Sequence, residues 1–359
     1  MRGGVTMYAQ RLLRGPRAGL RFLRAGLQTL RAGLRGWGGV GAMAAVCALA
    51  VAFALLLPLT QSHGDGSTGT GGQGVAEGIQ AKAEDCVNAQ DQSPKPSDFD
   101  GKTIEAIKAR TGDDRKLIVG VDQNNYRWGY RDPNTGDIVG FDIDLVKAIA
   151  KDILGNENAV QYKTVPTKKR FEAIRDGQVD MVVRTVSISC QRINDEKVSF
   201  SSAYFKAGQQ LLVPLQDSTV KDFNDTLKGK KVCTASGSTA EIKLDADPHG
   251  SKKVLVDNQL DCLVLLQLGQ VDAALTDNAL AAGLAAQDPA VHLIGKPVTT
   301  EYYGVAMSNK SPDLVRRVNK VLEDYRSGGS DSAWQKAYGT WLKAVFPGVE
   351  GPPEPRYEG

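Results

Sequence analysis

Arg192 stands in a run of hydroxyl side chains, Thr185, Ser187 and Ser189, just past the short apolar stretch Met181-Val182-Val183. A guanidinium offers a planar fork of donors that matches a carboxylate, and hydroxyls beside it extend the donor set. A second grouping, Gly237-Ser238-Thr239 with Glu241 three residues after Ser238, has the spacing of a capping box. Free backbone N–H groups at such a helix start can meet an anion. Asp277, which follows Ala273-Ala274-Leu275-Thr276, supplies the charge that suits an ammonium, and Arg184 adds another guanidinium directly before Thr185. The chemistry on offer is capture of a carboxylate and an ammonium. Each residue also has a plainer role: Arg192 as a solvated loop charge, Asp277 as the cap of a helix starting at Asn278, Ser238 and Thr239 as a helix cap, Arg184 paired with an acid such as Asp122.

Catalysis by familiar constellations finds little support. The three histidines, His63, His249 and His292, are scattered, and neither HExxH nor CxxC occurs in the 359 residues. That disfavours zinc and Ser-His-Asp chemistry, and neither metal nor cofactor is expected. The 44 basic and 41 acidic residues hide an asymmetry. Eight arginines and no acid precede residue 60, leaving 36 basic against 41 acidic residues, a net −5, for the rest. A mildly acidic body argues against binding nucleic acid.

The elements that must position these residues repeat. Gly177-Gln178-Val179-Asp180 precedes one apolar strand and the tip Arg184-Thr185; Gly269-Gln270-Val271-Asp272 precedes another and the tip Thr276-Asp277. Around each copy strands and helices alternate: strand 117–121, helix 142–154, strand 160–162 and helix 168–175 in the first, strand 231–234, helix 239–244, strand 254–256 and helix 259–268 in the second. This pattern predicts two α/β lobes with parallel sheets, whose strand ends face each other across a cleft. A strand at 304–307 and helices near 313–325 and 332–345 return to the first lobe, and the proline-rich tail is extended or disordered.

Taken in one order from residue 115 to 345, several motifs carry a family resemblance. They include Gly140-Phe141-Asp142-Ile143-Asp144, Ser187-Ile188-Ser189 with Arg192, Leu227-Lys228-Gly229-Lys230-Lys231-Val232, Gly237-Ser238-Thr239 and Val271-Asp272 through Thr276-Asp277. The chain resembles the polar amino-acid-binding proteins of ABC importers, solute-binding protein family 3, in pattern those for glutamate and glutamine from high-GC Gram-positive bacteria. The resemblance implies the two-lobed periplasmic-binding-protein type II fold, closing by a hinge, with Arg192 on the α-carboxylate and Asp277 on the α-ammonium. It implies ligand contacts from Thr185, Ser187, Ser238 and Thr239 as well. Arg184 would then answer a side-chain carboxylate, favouring glutamate or aspartate, with glutamine or asparagine the alternative. An aromatic in the first strand-to-helix loop covers the ligand in relatives; here Trp128 is that wall, Tyr126 the alternative, and core packing is open to either.

The boundaries read as a basic cytoplasmic head (1–37), a transmembrane anchor or signal sequence (38–59), a flexible linker (60–98), lobe 1 (99–207), lobe 2 (208–297), a return to lobe 1 (298–346) and the tail (347–359). Val40 to Leu59 is long enough to span a bilayer, and the arginines before it keep the N-terminus inside and export the body. In an oxidising compartment the cysteines should pair. Cys233 and Cys262 fall in the same lobe, and Cys86 with Cys190 would tie the tether to the loop bearing Arg192. The expected protein is a membrane-tethered receptor and not an enzyme, its partners an amino acid and an ABC permease. A sensor signalling to a membrane protein, or a dehydratase with a catalytic acid in its cleft, are the other classes considered.

Overall fold

The computed structural model describes residues 86–359; the expected head, membrane segment and the first part of the linker lie outside the described residues. Among the described residues no helix is long and apolar enough to cross a membrane.

Lobe 1 opens with α1 (Lys102–Lys108) and β1 (Leu117–Val121), followed by a small meander of β2 (Asn124–Asn125), β3 (Gly129–Arg131) and β4 (Ile138–Val139). Then come α2 (Phe141–Leu154), β5 (Val160–Thr164), α3 (Arg170–Arg175), β6 (Met181–Val182), α4 (Cys190–Glu196) and β7 (Val198–Phe200). The apolar face of α2, with Ile143, Leu145, Val146, Ile149 and Ile153 buried, covers one side of the sheet, and Gly155 ends the helix in the left-handed conformation. The chain leaves through β8 (Phe205–Ala207) into lobe 2. There β9 (Gln209–Pro214), β10 (Lys231–Ala235), α5 (Thr239–Ala246), β11 (Lys252–Val256), α6 (Gln259–Gln267), β12 (Ala273–Asp277), α7 (Asn278–Gln287) and β13 (Val291–Ile294) follow. It returns through β14 (Glu301–Tyr303) to β15 (Ala306–Ser308), α8 (Pro312–Arg326) and α9 (Ala333–Ala337).

The strand orders are β5-β1-β6-β15-β7 and β11-β10-β12-β9-β13. Three strands of each sheet are parallel, as the alternation implies, but the sheets are mixed. β9 pairs antiparallel with β12, and β15 with β6. The reason is topological: each of these strands enters from the opposite lobe and so starts at the cleft, whereas the parallel strands end there. β8 and β14 form a two-stranded antiparallel ladder between the lobes. Beside it the Gly208 Cα approaches the Thr299 carbonyl so closely that a Cβ would lie 2.1 Å from that oxygen.

The repeated Gly-Gln-Val-Asp has one structural job in both lobes. Asp180 N donates to Ile118 O at 2.8 Å and its carboxylate accepts Ile118 N at 2.8 Å; Asp272 N donates to Lys231 O at 2.9 Å and its carboxylate accepts Lys231 N at 2.8 Å. Each aspartate therefore pins the start of the neighbouring parallel strand.

Two segments differ from expectation. The linker was expected to run to residue 98, yet from Cys86 it is packed on lobe 1. The fully buried Asn319 needs partners for its amide and finds them there, donating to Ser93 Oγ at 2.8 Å and Pro94 O at 2.6 Å. The tail has no regular structure but lies back along this segment, with Glu358 N donating to Ser93 O at 2.8 Å. The final helix is shorter than expected: α9 ends at Ala337 and the chain continues as a wide turn, Lys343 N bonding Tyr338 O at 2.9 Å.

Candidate ligand-binding site

Where the parallel strands of the two sheets end, a narrow cavity of about 30 Å³ lies between the lobes. Arg184, Thr185, Ser187 and Arg192 line it from lobe 1, Ser238, Thr239 and Asp277 from lobe 2. Seven residues chosen from sequence thus converge.

Arg192 sits in the first turn of α4, whose cap Ser189 accepts its backbone N–H at 3.3 Å. Buried to 4% exposure, it is no solvated loop charge. Its Nη1 donates to Ser187 O at 2.5 Å, and its pKa is lowered by burial against the opposing pull of Glu301 and Asp277. In lobe 2 the Ser238 side chain accepts Glu241 N at 3.1 Å while the Glu241 carboxylate accepts Gly237 N at 2.6 Å. The earlier N–H groups of the helix, on Thr239 and Ala240, have no acceptor within the helix, and both residues line the cavity.

Asp277 ends β12. Its carboxylate caps no N–H of α7; it accepts Tyr303 Oη at 2.7 Å and the Gln209 amide. Burial, and after it the nearby Glu301, push its pKa up to about 7. Such a carboxyl gains most by ionising against a cation placed beside it.

Strand alternation would turn Arg184 and Thr185 to opposite faces. The strand, however, stops at Val182, and Thr185 adopts φ +48°, which a β-branched residue rarely takes. Its N–H donates to Asp142 at 3.0 Å, and Tyr204 Oη donates to the other oxygen of that buried acid at 2.9 Å. This local reversal lets both side chains reach the cavity. Arg184 is nevertheless committed: Nη2 pairs with Asp122 and Nη1 donates to Thr167 Oγ1 at 2.8 Å. Its sequence-based assignment to a ligand carboxylate gives way to the alternative of pairing with Asp122, because Asp122, also buried, requires a counter-ion.

The expected aromatic wall is not in the cavity. Trp128 is 1% exposed and packs edge-on to Phe141, Phe205 and Tyr303, with Nε1 donating to Ala279 O at 3.3 Å across the lobes. Tyr126 stacks edge-on to Tyr130 under the Arg127 guanidinium. Asn125, next to them in sequence, lines the cavity instead.

Sequence reasoning missed three more lining residues, Arg170, Gln209 and Gln259. Arg170 is 4% exposed; its Nη2 donates to Gly237 O at 3.2 Å, and burial with the Arg192 and Arg184 charges presses its pKa well down. Both it and Arg192 lie over the Phe171 ring, 4.9 and 5.5 Å from the centroid. Neither forms an ion pair among the described residues. The available signal was Lys168-Lys169-Arg170 at a helix start, cations placed against the macrodipole. Gln209 begins β9 opposite Asp277, and its Oε1, like Gln259 Nε2 and Arg170 Nε, is buried without a partner. Both disulfides are present, Cys86–Cys190 and Cys233–Cys262, with Cα atoms 5.4 and 5.6 Å apart.

Two lobes on mixed sheets, joined by a two-strand ladder and holding opposite charges across one cavity, define a hinged ligand-binding protein. The profile of bacterial extracellular solute-binding proteins, family 3, matches residues 117–344, and the chain belongs to that family. It is 36% identical over 241 residues to the ABC transporter glutamine-binding protein GlnH of Bacillus subtilis (strain 168), covering 67% of this chain and 85% of the relative. It is 29% identical over 224 residues to the glutamate-binding protein GluB of Corynebacterium efficiens, covering 60% and 75%. Among solved structures, an ancestral arginine-binding protein bound to glutamine is 34% identical with a TM-score of 0.58, covering 65% of this chain and 98% of that one.

Proposed function

We propose that this protein captures an acidic amino acid, glutamate or aspartate, between its lobes and delivers it to an ABC permease. One observation carries the acidic ligand: two buried guanidinium groups, Arg170 and Arg192, stand in the cavity without an ion pair. Two carboxylates on one ligand match them. In this reading the α-carboxylate takes Arg192 and the N–H groups at the start of α5, the α-ammonium takes Asp277 and the free Gln209 Oε1, and the side-chain carboxylate takes Arg170 with Gln259 Nε2. Three of the cavity's unpartnered buried atoms, Gln209 Oε1, Gln259 Nε2 and Arg170 Nε, then gain the partners they lack. Export and tethering by the segment 40–59 complete the proposal, on the strength of the arginines preceding that apolar run. The binding role, without catalysis, accords with the solute-binding relatives, and Asp277 is read as an ammonium acceptor in place of a catalytic acid.

Glutamine is the second reading. Arg184 is already neutralised by Asp122, and two relatives at 36% and 37% identity are named as glutamine-binding proteins. Calorimetry of the purified protein against glutamate, aspartate, glutamine and asparagine decides. At least tenfold tighter binding of an acid supports the first reading, since an amide NH₂ would face donors. Equal or tighter binding of the amides overturns it, and no binding by any of the four overturns the receptor reading.

A further inference from the structure

The hinge carries an acid that ligand binding leaves unused. Glu301 opens β14, the strand by which the chain returns from lobe 2. Its Oε2 accepts Ser187 Oγ at 2.5 Å and Thr239 Oγ1 at 2.7 Å; its Oε1 accepts Gln209 Nε2 at 3.0 Å and Thr299 Oγ1 at 3.1 Å. Ser187 belongs to lobe 1 and Thr239 to the first turn of α5 in lobe 2, so a single carboxylate oxygen is shared between lobes. An ionised carboxylate has about four acceptor sites, and here all are occupied. Charge-assisted bonds of this kind are stronger than a neutral contact across the cleft such as Trp128 Nε1 to Ala279 O, and they are more numerous here than the single bond that Arg170 Nη2 donates to Gly237 O at 3.2 Å.

We propose that Glu301 is an interlobe latch: its carboxylate fastens Ser187 to Thr239 beside the pivot, so the protein's own groups draw the lobes together. Rotation of lobe 2 away from lobe 1 withdraws one hydroxyl from the shared oxygen and leaves the half-buried carboxylate short of a donor. The closed form is thereby populated before a ligand adds its contacts, and the apparent affinity rises with that population. The affinity part of this inference rests on the amino-acid reading above; the latch itself does not.

Hydrogen exchange measured by mass spectrometry on the purified full chain tests it, comparing wild type with Glu301→Gln and Thr239→Val. Glutamine keeps the volume but turns an NH₂ toward hydroxyl donors, and valine removes one arm while leaving Glu301 in place. Without amino acid, the segments that face across the cleft, residues 236–244 and 279–285, should exchange roughly tenfold faster in both variants. The segment 145–153, within α2 on the core of lobe 1, should not change. Glutamate should bind Glu301→Gln weaker by a similar factor, about tenfold, with saturating glutamate restoring protection. Unchanged exchange at both cleft segments in both variants overturns the latch. So does tighter binding with unchanged exchange, which would make Glu301 an electrostatic brake on Arg192. If wild type binds no amino acid, the receptor reading falls while the exchange comparison still decides the latch.

Discussion

Lobes 1 and 2 are built alike up to the tips of their strands, and there they part. In both, an aspartate of the Gly-Gln-Val-Asp repeat pins the start of the next parallel strand with nearly equal distances. At the tips, lobe 1 presents Arg170, Arg184 and Arg192, whereas lobe 2 presents Asp277 and the bare N–H groups of α5. Repetition marks the scaffold and divergence marks the site. A ligand carrying both charges needs this difference, since two identical tips would repel the same end of it.

The largest test of the comparison is Arg192→Ala. Losing the charge-assisted contact should cost about 3 to 5 kcal/mol of binding with the fold retained, since the ligand carboxylate is then desolvated without a partner. Titration calorimetry with circular dichroism checks this, and affinity within a few fold of wild type would remove Arg192 from the site. Arg184→Gln should act on the other axis. It strands Asp122, buried to 5% exposure, and should lower unfolding stability by roughly 3 kcal/mol in denaturant melts while leaving the acid-to-amide preference within about threefold. A large selectivity change with unaltered stability would return Arg184 to ligand recognition.

The two pinning aspartates offer a smaller contrast. Asp180 also accepts both terminal nitrogens of Arg110, at 2.6 and 2.7 Å, and its side chain is 12% exposed against 39% for Asp272. Asp180→Ala should therefore destabilise by about 2 kcal/mol and Asp272→Ala by about 1, neither altering ligand affinity beyond its effect on folding. A binding loss specific to either would show that the repeat belongs to the site.

The smallest effect is graded with pH. Asp277, raised to about 7, is protonated below neutrality, and an incoming ammonium must expel that proton. Affinity should be flat above pH 7 and fall by up to about tenfold per unit below it, with close to one proton released on binding at pH 6. Calorimetry in buffers of different ionisation enthalpy counts that proton. For the fold itself the sign is reversed. Asp142, also raised to about 7 by burial, holds a proton in the folded state that the unfolded chain has lost, so its contribution favours folding near pH 4 and disappears as pH rises through 7.

Much of this was legible because local periodicity and burial agree. The apolar run at 117–121 and the spacing of Leu145, Ile149 and Ile153 read directly as the strand and helix they form. What stayed hidden depends on residues distant in sequence. Gln209 is a site residue only because β9 starts at the cleft opposite Asp277, and the direction of that strand follows from a crossing no local pattern reports. Trp128 looked like a ligand wall from its loop, but its indole is taken up by Phe141, Phe205 and Tyr303. Arg184 and Arg170 could be told apart only by where Asp122 lies.

Cys86 is bonded to Cys190, which opens the helix carrying Arg192, and the tail lies against the same N-terminal segment through Glu358 and Arg356. Lobe 1 thus holds both ends of the described segment, residues 86 and 359, while lobe 2 joins it covalently only through the two passages of the hinge. Mechanically, lobe 1 is the bracket and lobe 2 the swinging arm. Any pull arriving along the chain before residue 86 enters the bracket through a covalent hook beside Arg192 and leaves the arm unloaded.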